Sequence, residues 1–161
     1  MKTSVGGWRV ATLGAFRKRI DDLAETVKRR GPEIKRKLAA TCLQTVVFAT
    51  PVGNMALWNK HSRETARPGY VGGRARHNWQ VSTGEALTGT LDDVDAEGSE
   101  TINAGQDAID NSGDGEAIHI VNNLPYIVPL NEGHSKQAPA GFVEQAVQAA
   151  VAGLSREKIT E

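Results

Sequence analysis

Residues Pro32-Glu33-Ile34-Lys35-Arg36-Lys37-Leu38-Ala39-Ala40-Thr41-Cys42-Leu43-Gln44-Thr45-Val46-Val47-Phe48-Ala49-Thr50-Pro51 decide how the rest of this chain is read. Ile34, Leu38, Cys42, Thr45 or Val46, and Ala49 recur every three or four positions, which lines them along one side of an α-helix. The Val46-Val47-Phe48 run marks the best-buried end. Thr50 precedes a proline and is pushed out of helical space, so the helix stops at Thr50-Pro51. Toward the N-terminus, Phe16, Ile20, Leu23 and Val27 make a similar stripe from Thr12 onward, against Arg17, Lys18, Arg19, Lys28 and Arg29. Gly31-Pro32 interrupts the two patterns. Proline suits a first helical turn and is costly inside one. The expectation is a stop at Arg30 or Gly31 and a restart with Pro32 near the first position, or else a kink.

Downstream, residues 51–77 read as an irregular, basic segment punctuated by glycine and proline. A loop of that length in a compact domain is usually functional or becomes ordered on a partner, and here it is expected to order only against a neighbour. His77 to Ser82 alternates Trp79 and Val81 with polar neighbours, as a half-buried strand does. Residues 83–98 are acidic and turn-rich. Ser99 to Asn111 is expected to be a helix, with Ser99 as N-cap, Glu100 in the first turn and Ile102 and Ile109 on one side. Gly105 costs that helix about 1 kcal/mol relative to alanine. Ala117 to Asn122 is the best strand in the chain, and Tyr126-Ile127-Val128-Pro129-Leu130 is a short apolar run on an extended or tight-turned path. Phe142, Ala146, Ala149 or Ala150, and Gly153 or Leu154 form a closing helix with Pro139 near its start. The fold expected is α+β: two N-terminal helices and a C-terminal helix packed on a small, largely antiparallel β-sheet. It is one domain over 1–161, with 1–12 and 155–161 as flexible tails and 51–76 as a long basic loop.

Among the 161 residues aromatics make up only 5%, so the core must lean on Ala, Val, Ile and Leu. No run approaches the ~18 apolar residues that span a bilayer, and no membrane partner is expected. Met1 to Gly7 has one lysine and no apolar block behind it, so no secretory signal is expected. The single cysteine, Cys42, excludes an internal disulfide and a multi-cysteine metal cage, and points to folding in a reducing cytoplasm. The net charge of zero hides a division. Residues 1–80 carry 16 Lys/Arg against 5 Asp/Glu, whereas residues 81–133 carry 11 acids and no Lys or Arg. Such a split suits a nucleic-acid surface or copies that associate head to tail.

The residues that might carry chemistry do not converge. His61, His77, His119 and His134 have no metal-binding spacing, and Cys42 sits on an apolar stripe where it acts as a small hydrophobe. Gly69-Tyr70-Val71-Gly72-Gly73 lacks the Lys-Ser/Thr of a phosphate loop. Asp92, Asp93, Asp95 and Glu97 lack the glycine and distal glutamate of a calcium loop and read as a solvated acidic loop. No catalytic, cofactor or metal residues are therefore assigned, and an enzyme with an unrecognised site is the weakest class. Arg63, Arg67, Arg74 and Arg76, interleaved with Trp58, Tyr70 and Trp79, could track phosphates and stack bases, which keeps a nucleic-acid-binding module as the alternative.

Two stretches resemble a known family. One is the helix ending in Thr50-Pro51-Val52-Gly53-Asn54, followed by Leu57-Trp58, by Arg67-Pro68-Gly69-Tyr70-Val71-Gly72-Gly73-Arg74 and by Asn78-Trp79. The other runs from Asn122-Asn123-Leu124-Pro125-Tyr126 through Leu130-Asn131-Glu132-Gly133-His134-Ser135-Lys136-Gln137-Ala138-Pro139-Ala140-Gly141-Phe142-Val143. Together they resemble the neck or tail-completion proteins of tailed bacteriophages, over roughly Phe16 to Leu154, with Gly53-Asn54 standing where many members have Asp-Thr-Gly. The resemblance implies a structural virion protein at the head–tail junction, made in the host cytoplasm. It would join the tail to the DNA-filled head and form part of the DNA passage. Its partners would be copies of itself in a ring (a hexamer), other neck proteins, the tail terminator or tail tube, and the portal-associated connector, with non-specific contact to phage DNA. The candidate contact residues are Trp58, Arg63, Arg67, Tyr70, Arg74, Arg76, Trp79, Tyr126, Leu130, Glu132, Lys136 and Phe142. Charge is expected to register the copies, Arg67, Arg74 and Arg76 of one against acids such as Asp92, Asp93 and Asp95 of the next.

Overall fold

The computed structural model describes residues 13–156; the tail expected at 1–12 lies outside the described residues, as does the one expected at 155–161 except for Ser155 and Arg156, which are helical. The element order is α1 (Leu13–Ala49), a 3-10 turn (Met55–Leu57), α2 (Lys60–Glu64), α3 (Arg74–His77), β1 (Gln80–Thr83), α4 (Ser99–Asp110), β2 (Ile118–Val121), α5 (Ile127–Asn131) and α6 (Phe142–Arg156). The class is α+β, with the helices accompanying a two-stranded antiparallel sheet. The chain divides into two units, Met1–Ile34 and Lys35–Glu161.

The expected pair of N-terminal helices is one helix, with Pro32 inside α1. Proline crowds the Cβ of the residue before it, and Gly31 has none, which eases helical geometry at the one position where it is most restricted. In the first unit Ile20 is 49% exposed, so the stripe expected there is not buried at that position. The side chains of Phe16, Leu23 and Val27 lie outside the described residues.

In the second unit the deepest line of α1 is Ala39, Leu43, Val46 and Val47, one residue further round than the expected stripe; Leu38, Cys42 and Thr45 are half-buried beside it. Ile109 of α4, Leu124, Ile127 of α5, and Phe142 and Ala146 of α6 complete the core with Ala75, Trp79 and Ala138. Only two of its side chains, Trp79 and Phe142, are aromatic, as the composition requires. β1 and β2 pair in the register Val81↔Ile120 and Thr83↔Ile118, and Val81, Ile118 and Ile120 pack on this core. The helix that lies on β1 is α4.

Gly105 explains how closely α4 lies. A Cβ there would overlap Leu43 and come 2.8 Å from Val81 Cγ2. The missing methyl that weakens the isolated helix is what lets it touch α1 and β1 at one point. Ser99 is not the N-cap: Gly98 is, at φ +85, with no side-chain capping bond of its own. The capping is supplied by Asp95, whose carboxylate accepts from Gly98 N at 2.7 Å, Thr101 N at 2.9 Å and Thr101 Oγ1 at 2.9 Å. At the other end of α4, Lys35 Nζ donates to the carbonyls of Gly113 and Glu116 at 2.8 Å each. Arg36 Nη2 donates to Ser112 O at 2.7 Å and to Asp114 Oδ1 at 2.9 Å. Of the extended or tight-turned path expected at 126–130, α5 takes the tight-turned form, with Pro129 in a short helical turn where its missing N–H costs little. Pro139 precedes α6 by three residues instead of starting it.

Gly105→Ala is expected to destabilise by up to about 2 kcal/mol in urea unfolding, because overpacking of about 1–3 kcal/mol outweighs the gain of about 1 kcal/mol that alanine brings to a helix. A stabilised Gly105→Ala variant would contradict the packing. Asp95 yields a pH signature. Burial pushes its carboxyl up, but bonds from Thr101 and Gly98, with the charge of His77, outweigh this and hold it below the usual aspartate range. The folded value lies below the unfolded one, so the contribution is complete above the ordinary aspartate pKa and is lost as pH falls through the depressed value. Urea unfolding free energies of wild type and Asp95→Asn are therefore expected to differ by about 1–3 kcal/mol at neutral pH and to converge in acid.

Candidate functional site

The frame of the site is a set of polar groups at the end of α1. Trp79 Nε1 donates to Thr50 Oγ1 at 2.7 Å, and that hydroxyl donates to Val46 O at 2.7 Å. Arg76 Nη2 reaches Thr50 O at 2.9 Å and Nη1 reaches Ala96 O at 2.6 Å, so one guanidinium serves carbonyls from both segments. Helix ends leave such carbonyls without partners, and a cation beside them also opposes the negative end of the helix dipole.

The acidic arm, residues 84–98, has no regular secondary structure. Side-chain amides hold it. Asn78, with no exposed surface, accepts from Leu91 N at 2.8 Å and donates to Leu91 O at 2.9 Å, pairing with one residue of the arm as a neighbouring strand would. Gln80 Nε2 donates to Gly89 O at 2.8 Å, and Asn123 Nδ2 donates to Leu87 O at 2.9 Å. Arg74 Nη2 adds an ion pair to Asp92 at 2.9 Å.

The two motif-bearing stretches meet. Gln137 Nε2 donates to Val52 O at 2.9 Å while its Oε1 accepts from Asn54 N at 3.3 Å. A Cβ at Gly72 would overlap Gly53 O, so Gly72 permits a backbone approach that no other residue would, and one at Gly53 would overlap the Tyr70 hydroxyl, so Gly53 leaves room for that ring. Trp58 and Tyr70 stack at a ring separation of 4.8 Å, tilted by 58°. With its helical turns, the 51–76 segment is not structureless.

Between these pieces lies a groove of about 1100 Å³. Trp58, Tyr70, Tyr126 and Leu130 wall it, Arg67 and Lys136 stand on its rim with Arg74, and Asp92 and Val94 of the arm form one edge. Burial pushes the Tyr70 and Tyr126 hydroxyls up, with Arg74 drawing Tyr126 partly back, so both phenols stay protonated as donors. Leu57, Val71 and Tyr126 are 58%, 60% and 42% exposed, a concentration of uncovered apolar surface.

Seven of the twelve expected contact residues thus come together in this groove. Arg63 is exposed but does not line it. Glu132 is exposed beside a second, smaller depression of about 380 Å³. Trp79 and Phe142 are 8% and 2% exposed and belong to the core, so their burial removes them from the contact set. Arg76 and Arg74 are engaged within the chain, and Asp95 is 7% exposed beneath α4, which corrects the expectation that these three register neighbouring copies. Gln137, Asn78 and Asn123 were not anticipated. Their signal was an amide side chain beside irregular backbone that lacks ladder partners.

Asp92 is the groove's carboxylate and is paired with Arg74. Half-buried Cys42 has its thiol pushed up by burial, away from the reactive thiolate. No cluster of His, Cys, Asp and Glu that could hold a metal occurs among the described residues. No helix among them is long and apolar enough to cross a membrane.

Gln137→Ala removes both bonds that tie 52–54 to the second stretch and is expected to cost about 1–2 kcal/mol. Limited proteolysis should then cut within 51–72 faster than in wild type, with cleavage elsewhere unchanged. Equal cleavage rates would show that the clamp does not hold the segment.

Compared with protein-family models, with curated proteins and with solved structures, the chain finds no match.

Proposed function

We propose that this chain is a structural subunit of the head–tail junction of a tailed bacteriophage, a neck or tail-completion protein that joins tail to DNA-filled head and forms part of the DNA passage. One observation carries the reading: the two stretches resembling that family, far apart in sequence, close on each other through Gln137 to build a groove with uncovered aromatic and aliphatic walls. The groove residues shape backbone, stack and expose apolar surface, which suits assembly better than catalysis. Under this reading the subunit is non-catalytic and works in the virion as a ring, a hexamer by the resemblance. It would contact other neck proteins, the tail terminator or tube, and the portal-associated connector.

The nucleic-acid alternative loses part of its support. Lys35, Arg36, Arg74 and Arg76 bind carbonyls and acids of their own chain. Arg63, Arg67 and Lys136 remain exposed, enough for non-specific contact with passing DNA.

In a phage that carries the gene, a nonsense mutation is expected to leave DNA-filled heads and separate tails, visible by electron microscopy, with joining restored when the protein is supplied. Joined, infectious particles lacking the protein would overturn the reading.

A further inference from the structure

Resting on the reading of the chain as an assembling subunit, we propose that the groove receives the acidic arm, residues 84–98, of a second copy in a head-to-tail contact. The groove presents aromatic walls and two rim cations, Arg67 and Lys136, that have no ion-pair partner among the described residues. Arg74 and Asp92 neutralise each other there, so the groove carries net positive charge. The arm has the complementary chemistry. Leu87, Leu91 and Val94 are 42%, 38% and 41% exposed; Asp93 stands among them and Glu85 and Glu97 flank them, all three exposed and likewise without ion pairs among the described residues.

Geometry supports the same contact. The amides of Asn78, Gln80 and Asn123 already fix the arm's path, so docking it orders little chain and forfeits little entropy. Apart from Asp92 and Val94, which edge the groove of their own copy, arm and groove are different surfaces of one chain, so joining them is heterologous and repeats from copy to copy. Aliphatic side chains against Trp58 and Tyr126 would supply the holding contacts, and the unlike charges would steer and register them. Two rim cations are few for a nucleic-acid strand, whose phosphates repeat along its whole length.

The test uses the full chain in sedimentation velocity and native mass spectrometry over a range of concentration and salt. Four substitutions at exposed positions probe it: Arg67→Glu with Lys136→Glu in the groove, and Glu85→Lys with Asp93→Lys in the arm. Thermal melts are expected to stay near wild type for both pairs. Wild type is expected to self-associate, less so as salt rises, and each double variant alone to associate at least about tenfold more weakly. Mixed together, the two variants match acid to base at both kinds of contact, so association should return in complexes that contain both. Leu87→Ser, which alters no charge, should weaken association without changing its salt dependence. The proposal is overturned if wild type stays monomeric at every concentration, which leaves the groove to another protein or to nucleic acid. It is equally overturned if either double variant assembles like wild type, or if the mixture associates no better than its parts. Each of those results concerns this contact alone, whereas the nonsense mutation tests the junction reading independently.

Discussion

The end of α1 depends on a hydroxyl group. Thr50 is wholly buried, donates to Val46 O and accepts from Trp79 Nε1. Its carbonyl is taken by Arg76. Each of these groups would be costly to bury alone, and together they are satisfied. Because Trp79 leads directly into β1 and Arg76 also holds Ala96, the arrangement fixes where the strand begins and where the acidic arm returns toward α4. The position of Thr50 before Pro51 makes this possible: the helix must stop there, and its last carbonyls need partners from elsewhere.

Close approach is the second constraint, and it compensates for scarce aromatics. With Ala39, Ala75, Ala138 and Ala146 in the core, elements must lie near one another to exclude water. Gly105 lets α4 touch Leu43 and Val81, Gly72 lets two irregular segments pass in contact, and Gly53 leaves room for the Tyr70 ring. The groove follows from the last of these approaches, since Tyr70 is held over Gly53 and beside Trp58.

Much of the fold was legible because it is periodic. The helix through Leu38 to Ala49, the buried stripe from Phe142 onward, the strand at Ile118 to Val121 and the α+β class follow from spacing, whereas the buried line of α1 lies one residue further round than the spacing indicates and leaves Phe48 exposed. What was illegible has local physical causes. Gly31 eases the helix through Pro32, a compensation between neighbours that reading proline alone misses. Ser99 has the residue type and position of a cap, whereas the capping carboxylate of Asp95 reaches the helix from several residues upstream. For the groove, the aromatic and basic residues were identifiable but their distribution was not. Sequence offers no way to see that Trp79 and Phe142 turn inward while Trp58 and Tyr126 line a surface. Gln137 was invisible for another reason: its partners are backbone atoms, which carry no residue identity.

The way the acidic arm is held has a consequence for how this protein can change over generations. The amides of Asn78, Gln80 and Asn123 grip the arm through hydrogen bonds to main-chain atoms of Leu87, Gly89 and Leu91. Apart from Asp92 and Asp95, which have partners in the body of the chain, the arm's outward side chains are therefore decoupled from the stability of the fold. They form a surface on which new side chains can be tried at little structural penalty, while the amides keep every variant on the same path.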